Sequence, residues 1–316
     1  WPDSTGATPG QNRPDQPTAP ADPTEPATPT EPTQPAVCQH EYVRGECVHC
    51  GALKPTDGLV YTLNEDGQSY RVSGYEGEIV GELTIPAAFN GLPVTMIDEW
   101  AFSDCNTLAG ITIPDGVTTV GKYAFNSCDG LNCHNLQSVN LPEGLVAIAE
   151  NAFASCDLRE IRIPANVQYI GVGAFSACPL TGIWVDENNP EFANDDKGAL
   201  FSEDMTLLKM VPYGLTGNYV IPDGVEYIGA YAFSNTRLSE VTFPDSVEEI
   251  GFCAFQSCYL TEIVIGNGVK HIATNAFANS QLTSVTIPNT VVDFGDGVFL
   301  NCPDLTIYCH IGSLAA

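Results

Sequence analysis

The chain has 316 residues, of which 44% are apolar, and its 39 acidic and 11 basic side chains give a formal net charge of −28. A negative field of this size repels phosphate backbones and anionic lipid surfaces, so nucleic-acid and membrane-surface binding are disfavoured. The apolar content is enough for a large core, but no apolar run reaches the ~20 residues that span a bilayer, which excludes a transmembrane helix in this chain.

Residues 1–37 form a low-complexity segment in which Pro and Thr alternate with acidic residues, as in "PTAPADPTEPATPTEPTQPA". Such a composition buries too little apolar surface to offset the entropy of ordering. We therefore predict a disordered, Pro/Thr-rich spacer. Because the chain begins at Trp1 rather than Met, we also expect a mature or trimmed form from which signal and anchor segments have been removed.

Residues 38–57 contain a small Cys/His module in the string "CQHEYVRGECVHC". Its spacing, C-x-H-x6-C-x2-C, is made by Cys38, His40, Cys47 and Cys50. Thiolate and imidazole ligands suit tetrahedral zinc, and four protein ligands leave no open position for catalysis, so the predicted zinc site is structural. The alternative is a disulfide with one spare thiol, as in extracellular proteins.

From residue 58 to residue 316 the sequence is dominated by one repeat. Ile-Pro and related junctions recur in steps of 22 residues, interrupted by two steps of 28 and one of 58 that indicate insertions, the largest at about 187–220. A fixed period in this range predicts a solenoid. The junctions are Ile85-Pro86, Ile113-Pro114, Leu141-Pro142, Ile163-Pro164, Ile221-Pro222, Phe243-Pro244, Ile265-Gly266 and Ile287-Pro288.

Each unit reads approximately L-x-x-V-x-I-P-D-G-V-x-x-I-G-x-x-A-F-x-x-C. The alternation in its first part is typical of a strand with one buried face, which the proline ends and the Asp-Gly turn reverses. The second part predicts a short irregular return that carries Val, Ile, Ala and Phe inward. No segment has ten residues of helical periodicity. We therefore predict a mainly β repeat protein of about eight units with short strands.

Residues 59–310 resemble the BspA-like leucine-rich repeats of bacterial surface proteins. The opening unit and the insertion "NNPEFANDDKGALFSEDMTLLKMVPYGLTGNYVIPDGV" are similar to the entry unit and the recurrent hairpin insertion of that family. This resemblance implies a right-handed leucine-rich-repeat solenoid, an extracellular or cell-surface location, and a role in adhesion or protein binding. The partner itself is not implied by the fold.

Six cysteines share the last position of the repeat. Because free cysteine is among the most buried residue types, we predict a structural column of buried, reduced thiols. A metal ladder or redox relay would need ionised thiols near positive charge, and the sequence offers no basic neighbours. The six are Cys105, Cys128, Cys156, Cys178, Cys258 and Cys302, with Thr236 and Ser280 in the remaining units.

The outward positions of the strands are the candidate binding surface. Most of them are small, but Arg159, Arg162 and Trp184 stand in adjacent units, and Arg and Trp are enriched in binding hot spots. The alternative interpretation is that the insertion, which begins directly after Trp184, covers the indole.

The predicted function is non-catalytic, because no nucleophile, phosphate-loop or paired-carboxylate motif is present. We predict a secreted or surface protein that binds a protein partner on a host or neighbouring cell. One alternative is a carbohydrate-binding module, for which Trp184 and Tyr213 are the aromatic candidates. The other is an architectural spacer without a ligand. Apart from the structural zinc, no cofactor is predicted.

Overall fold

A computed structural model describes residues 58–126 and 135–309, and the backbone of two short strands that precede them. The chain divides into two compact units, residues 1–36 and 37–316, and the described residues belong to the second. The two short strands, β1 (Tyr42–Val43) and β2 (Glu46–Cys47), form an antiparallel pair. The predicted zinc ligands Cys38, His40 and Cys50 lie outside the described residues.

A long strand occupies the same position in each repeat unit, and we call this side the long-strand face. Its strands pair in parallel within four groups, β5-β8-β10, β12-β14, β18-β20 and β22-β24-β26. The strands are β5 (Gly81–Thr84), β8 (Leu108–Thr112), β10 (Ser138–Asn140), β12 (Glu160–Ile163), β14 (Gly182–Val185), β18 (Thr216–Val220), β20 (Arg237–Thr242), β22 (Glu262–Val264), β24 (Ser284–Ile287) and β26 (Thr306–Cys309).

A second set of strands, the short-strand face, pairs in parallel from unit to unit within two sheets and occupies the part of the unit that we predicted to be irregular. In this respect the prediction was wrong, because the residue pair before the conserved glycine forms a two-residue strand. Two residues are too few to show a period, and these strands exist only because successive units align, as Ile148 does with Val120 and Ile170. They are β9 (Thr119–Val120), β11 (Ala147–Ile148), β13 (Tyr169–Ile170), β19 (Tyr227–Ile228), β21 (Glu249–Ile250), β23 (His271–Ile272) and β25 (Asp293–Phe294).

The remaining described strands belong to the first unit and to the insertion. The first unit starts with an antiparallel pair that leads into the short-strand face. These strands are β3 (Leu59–Leu63), β4 (Tyr70–Tyr75), β6 (Ala88–Phe89), β7 (Leu92–Ile97), β15 (Phe192–Asn194), β16 (Leu200–Ser202) and β17 (Leu207–Met210). The predicted insertion at 187–220 thus contains a hairpin, β15-β16, while its last strand, β18, belongs to the long-strand face.

The solenoid fold is confirmed, with more turns than predicted. The described residues contain ten long strands, whereas eight units were predicted. The difference comes from β14 and β26, which do not end in an Ile-Pro junction: Asp186 follows β14, and β26 ends at Cys309. A count of junctions therefore missed both.

In each Ala-Phe or Val-Phe turn that the structure describes in full, two residues adopt left-handed backbone conformations. One stands before the Ala and the other two residues after the Phe, as Asn275 (φ 57°) and Asn279 (φ 55°) do on either side of Phe277. Asn and Gly tolerate this conformation, whereas bulky residues pay a steric cost. The first position is nevertheless held by Trp100, Tyr123, Tyr231 and Cys253 in four units.

The core is filled by the inward residues of both faces and by a column of stacked phenylalanines. Phe102, Phe125, Phe153 and Phe175 stack with centroid separations of 5.0, 5.0 and 5.7 Å. A second run, Phe233, Phe255, Phe277 and Phe299, has separations of 4.5, 5.0 and 5.5 Å. The two runs belong to two hydrophobic clusters that meet at residues 199–200, inside the insertion. The insertion therefore divides the core.

The cysteine column is buried, as predicted, in three of the five members that the structure describes. All five are free thiols; Cys156, Cys178 and Cys258 are buried, whereas Cys105 and Cys302 are half-buried. Three of them donate to a carbonyl oxygen of a phenylalanine in the stack: Cys156 to Phe125, Cys178 to Phe153 at 2.9 Å, and Cys302 to Phe277. Burial raises the pKa of Cys258 to about 12. A thiol of this kind stays protonated and unreactive at neutral pH.

Candidate binding surface

The outward column of the long-strand face is exposed almost throughout. The last outward residue of each strand is exposed in every described unit except that of Trp184, which is half-buried. Parallel pairing sets Arg162 of β12 directly beside Trp184 of β14, and Arg162 is exposed. The column runs Thr84, Thr112, Asn140, Arg162, Trp184, Val220, Thr242, Val264, Thr286 and Tyr308.

Trp184 lies back along its own strand. A Cβ placed on Gly182 would lie 2.7 Å from Cε2 and Cζ2 of the indole, so the ring occupies the space above that glycine. The turn of the insertion approaches the same residue, because a Cβ on Gly198 would lie 2.6 Å from the Gly182 Cα. A side chain at either glycine would displace this arrangement. The indole is therefore held in place and still reaches solvent.

The insertion is fastened to the edge of β14. The Ile183 amide donates to the Gly198 carbonyl at 2.8 Å, and the Val185 amide donates to Asn194 Oδ1 at 2.7 Å. In this way the insertion satisfies donors of β14 that a following long strand would otherwise bond. The long-strand face is interrupted here, since β14 pairs only with β12 and β18 only with β20 among the described strands. We call this interruption between β14 and β18, with Arg162 and Trp184 beside it, the break.

Two polar side chains fix the insertion from within. Asn189 is buried and fully bonded: its amide nitrogen donates to the carbonyls of Pro164 and Val167, and its oxygen accepts from the amides of Glu191 and Phe192. Every polar position of this side chain is thus satisfied. The four hydrogen bonds of Asn189 therefore hold the start of the insertion rigidly.

Asp195 closes the turn of the insertion. Its Oδ1 accepts from the amides of Lys197 and Ala199, and its Oδ2 accepts from the Tyr219 phenol at 2.6 Å. Burial, followed by this hydrogen bond, raises the pKa of Tyr219 well above its ordinary value. The carboxylate therefore acts as a structural acceptor that joins the insertion to β18.

The cations of the described residues divide into two sets. Four form ion pairs with carboxylates and four form none. The paired set is Arg71 with Asp98, Lys122 with Glu150, Arg159 with Asp157, and Lys270 with Glu248. The unpaired set is Arg162, Lys197, Lys209 and Arg237.

All four unpaired cations lie between residues 162 and 237, the stretch that contains the insertion. Two of them are close to Trp184: Arg162 is its strand neighbour, and exposed Lys197 is next to Gly198, which approaches Gly182. In a chain with a net charge of −28, cations that lack a carboxylate are available to a partner. Arg159, the third predicted residue, is exposed but pairs with Asp157 at 3.2 Å.

Sequence reasoning missed a second cluster at the start of β20. The Arg237 guanidinium lies over the rings of Tyr213 and Tyr259, 5.2 and 5.7 Å from their centroids. The repeat spacing indicates part of this cluster, because Arg237 and Tyr259 are one repeat length of 22 residues apart. Tyr213 comes from the insertion, outside the repeat register, and only folding brings it to the pair.

The family follows from the repeat itself. A model of the BspA type leucine rich repeat region matches residues 82–195 and 215–313 in six copies, more than half of the chain. The chain belongs to the BspA-type leucine-rich repeat family. The unmatched residues between the two ranges, 196–214, lie within the insertion and contain two of the four unpaired cations, Lys197 and Lys209.

Solved structures with the same fold are known. This BspA-type chain is 23% identical to the pneumococcal vaccine antigen PcpA, with a TM-score of 0.58 over 81% of this chain and 81% of that one. A leucine-rich repeat protein from Bacteroides ovatus is 22% identical, with a TM-score of 0.54 over 81% and 70%. A leucine rich cell surface protein from Faecalibacterium prausnitzii is 25% identical, with a TM-score of 0.48 over 83% and 95%. No curated protein matches the chain.

These findings describe a repeat protein suited to protein interaction, since solenoids present extended surfaces rather than a single pocket. Within the residues that the structure describes, no helix has the length and apolarity to cross a bilayer.

Proposed function

We propose that this BspA-type protein is a non-catalytic binding protein, secreted or displayed at a cell surface, which holds a protein partner against the long-strand face at the insertion. The observation that carries the proposal is the unpaired Arg162 beside the half-buried Trp184, at the interruption of the sheet. Arg and Trp are the side chains that dominate protein interfaces when they are held rigidly.

The rest of the long-strand face supports this location by contrast. Outside the break, the outward column consists mainly of Thr and Val residues. The four paired cations are not part of this column and are already engaged with carboxylates. A cation that is already paired with a carboxylate is less available to a binding partner. At the break, an aromatic side chain and an unpaired cation stand side by side in the outward column.

The test is a comparison of immobilised wild-type protein with Trp184→Ala and Arg162→Gln. Solubilised surface proteins of candidate host or neighbouring cells are passed over each, and retained proteins are quantified by mass spectrometry. Val264→Ala is the matched control, because Val264 is 65% exposed in the same outward column of the regular repeat. We expect retention to fall at least tenfold for both break variants and to be unchanged for the control.

Two results would contradict the proposal. If the break variants and wild type retain the same proteins equally, the surface is misplaced. If enzymatic deglycosylation of the extract abolishes retention, the carbohydrate-binding alternative is correct. A set of circular dichroism spectra shows that each variant is folded.

We also propose that the Cys/His module binds a structural zinc ion. Antiparallel pairing of β1 with β2, in the register Tyr42 beside Cys47, brings the start of β1 and the end of β2 to the same end of the hairpin. Cys38 and His40 precede β1 in the sequence, and Cys47 and Cys50 stand at and beyond the end of β2. This connectivity supports one four-ligand site, while the disulfide alternative predicts no bound metal.

A further inference from the structure

The guanidinium of Arg237 lies over two tyrosine rings. Tyr213 and Tyr259 lie 5.2 and 5.7 Å from it, both within the ~6 Å at which a cation is attracted to an aromatic face. Tyr213 is half-buried, whereas Arg237 and Tyr259 are exposed. We call the three side chains the Tyr-Arg-Tyr sandwich.

The hydrogen-bonding capacity of this arginine is unused. Among the residues that the structure describes, no oxygen accepts a hydrogen bond from the Arg237 side chain and no carboxylate pairs with it. Contact with the rings does not replace such bonds, because the five N–H donors of a guanidinium are directed to oxygen acceptors in its plane. The rings limit the motion of the side chain and so reduce the entropy that binding would cost.

The nearest acidic residue on the same strand is already engaged. Glu240, three residues along β20, accepts a hydrogen bond from Asn218 Nδ2 at 2.6 Å, and Asn218 Oδ1 accepts one from Ser239. The net charge of −28 disfavours a ligand with many negative charges more strongly than a ligand with a single carboxylate.

We propose that the Tyr-Arg-Tyr sandwich binds one carboxylate of a protein partner, an acidic side chain in an extended segment. A carboxylate matches the planar fork of arginine and accepts two parallel hydrogen bonds from it. This inference rests on the proposed protein-binding function and names the chemistry of the partner.

An exposed apolar residue favours a peptide over an acidic sugar. Val220, 65% exposed, is at the opposite end of the same strand pair, where it stands beside Thr242, while Arg237 stands beside Thr216. Four to five residues of strand separate the two ends, roughly 15 Å. An extended segment with an acidic residue and an apolar residue at that separation contacts both.

The test measures the binding of the C-terminally amidated peptide Glu-Ala-Ala-Ala-Leu-amide, labelled with rhodamine at its N-terminus, to the full chain by fluorescence anisotropy. The matched peptide has Gln in place of Glu. We expect saturable binding of the Glu peptide and at least tenfold weaker binding of the Gln peptide. Arg237→Gln should weaken binding of the Glu peptide at least tenfold, and Arg237→Lys should also weaken it because the fork is lost.

Lys270→Gln is the control, since Lys270 is an exposed cation already paired with Glu248. Its binding should stay within about twofold of wild type. Equal binding of the two peptides, unchanged binding by Arg237→Gln, or no saturable binding at concentrations on the order of 10 mM would each overturn the inference, as would tighter binding of an oligosaccharide of glucuronic acid.

Different variants test the Tyr-Arg-Tyr sandwich and the break. Trp184→Ala keeps Arg237 and should bind the Glu peptide normally even where it fails to retain a protein partner. Loss of peptide binding in Arg237→Gln together with normal partner retention would leave the proposed function standing and remove the sandwich from it.

Discussion

Tyr219 donates a 2.6 Å hydrogen bond to Asp195, and this bond joins the long-strand face to the insertion. The phenol belongs to β18 and its ring packs edge-on against Phe233, the first member of the second phenylalanine run. Asp195 in turn accepts from two amides of its own turn. A single carboxylate thus fixes both the shape of the insertion and its place beside the solenoid.

Removing this phenol should loosen the insertion. We predict that Tyr219→Phe lowers the free energy of unfolding by about 1.5–3 kcal/mol, because a carboxylate oxygen loses a buried donor. Hydrogen exchange should also accelerate at the Lys197 and Ala199 amides, measured by mass spectrometry. Tyr227→Phe is the control, since Tyr227 is 42% exposed on the short-strand face. Unchanged exchange at the two amides would show that Asp195 holds its turn without Tyr219.

The buried thiols should make the fold sensitive to alkaline pH. Burial raises the pKa of Cys258 from its ordinary value near 9 to about 12. The unfolded chain therefore loses its thiol proton first, and stability is lost as the pH rises from about 9 to about 12. The slope is about 1.4 kcal/mol per pH unit for one thiol.

Cys258→Thr isolates this contribution. Thr236 occupies the same repeat position, fully buried, and donates to the Phe233 carbonyl at 2.8 Å, so threonine fits there. Urea unfolding under reducing conditions at pH 8, 9 and 10 should show a shallower decline in the variant. Parallel declines in the two proteins would mean that the Cys258 thiol ionises as readily folded as unfolded.

One left-handed position carries an unfavourable residue. Ala177 has φ 57° and is exposed, while three other units have Asn at this position, as Asn235, Asn279 and Asn301, and three have Asp104, Ser155 and Ser257. Because Asn adopts this conformation at lower cost, we predict that Ala177→Asn stabilises the protein by about 0.5–1 kcal/mol. The reciprocal change, Asn235→Ala, should destabilise it by a similar amount. Thermal unfolding of both variants checks the pair, and shifts of the same sign would contradict the explanation.

The Cys/His module should contain one zinc ion per chain. Plasma emission spectrometry of protein purified without chelators gives the metal content, and Cys38→Ser or Cys50→Ser should abolish it. His49→Ala is the control, because His49 lies between Cys47 and Cys50 and is not one of the proposed ligands. Metal-free protein with a disulfide between two of these cysteines would establish the alternative.

The sequence predicts the regular part of this molecule well, for a physical reason. A strand such as β12, "EIRI", alternates exposed and buried residues, and the following Pro164 marks its end. Repetition multiplies that signal in every unit. The outward position of Arg162 therefore follows from the repeat pattern, as does the burial of Cys156, Cys178 and Cys258. The same pattern predicted burial of Cys105 and Cys302 as well, and these two are only half-buried.

What the sequence did not predict depends on contacts between units. The two-residue strands have no internal period, and a charge alone does not show whether a carboxylate neutralises it. The sequence does not distinguish Arg159 from Arg162, yet of the two only Arg159 has an ion pair among the described residues. Tyr213 contacts Arg237 only through the fold of the insertion. Because Tyr213 lies outside the 22-residue repeat, the spacing of the repeat does not predict this contact.

Site-specific photo-crosslinking tests most directly whether binding occurs where the repeat is broken. A benzophenone side chain replaces Val220, at the insertion, or Val264, in the regular repeat; both residues are 65% exposed in the same outward column. With the partner proteins that wild type retains, we predict adducts from position 220 at least tenfold above those from position 264. Equal yields, or adducts from position 264 alone, would contradict the account.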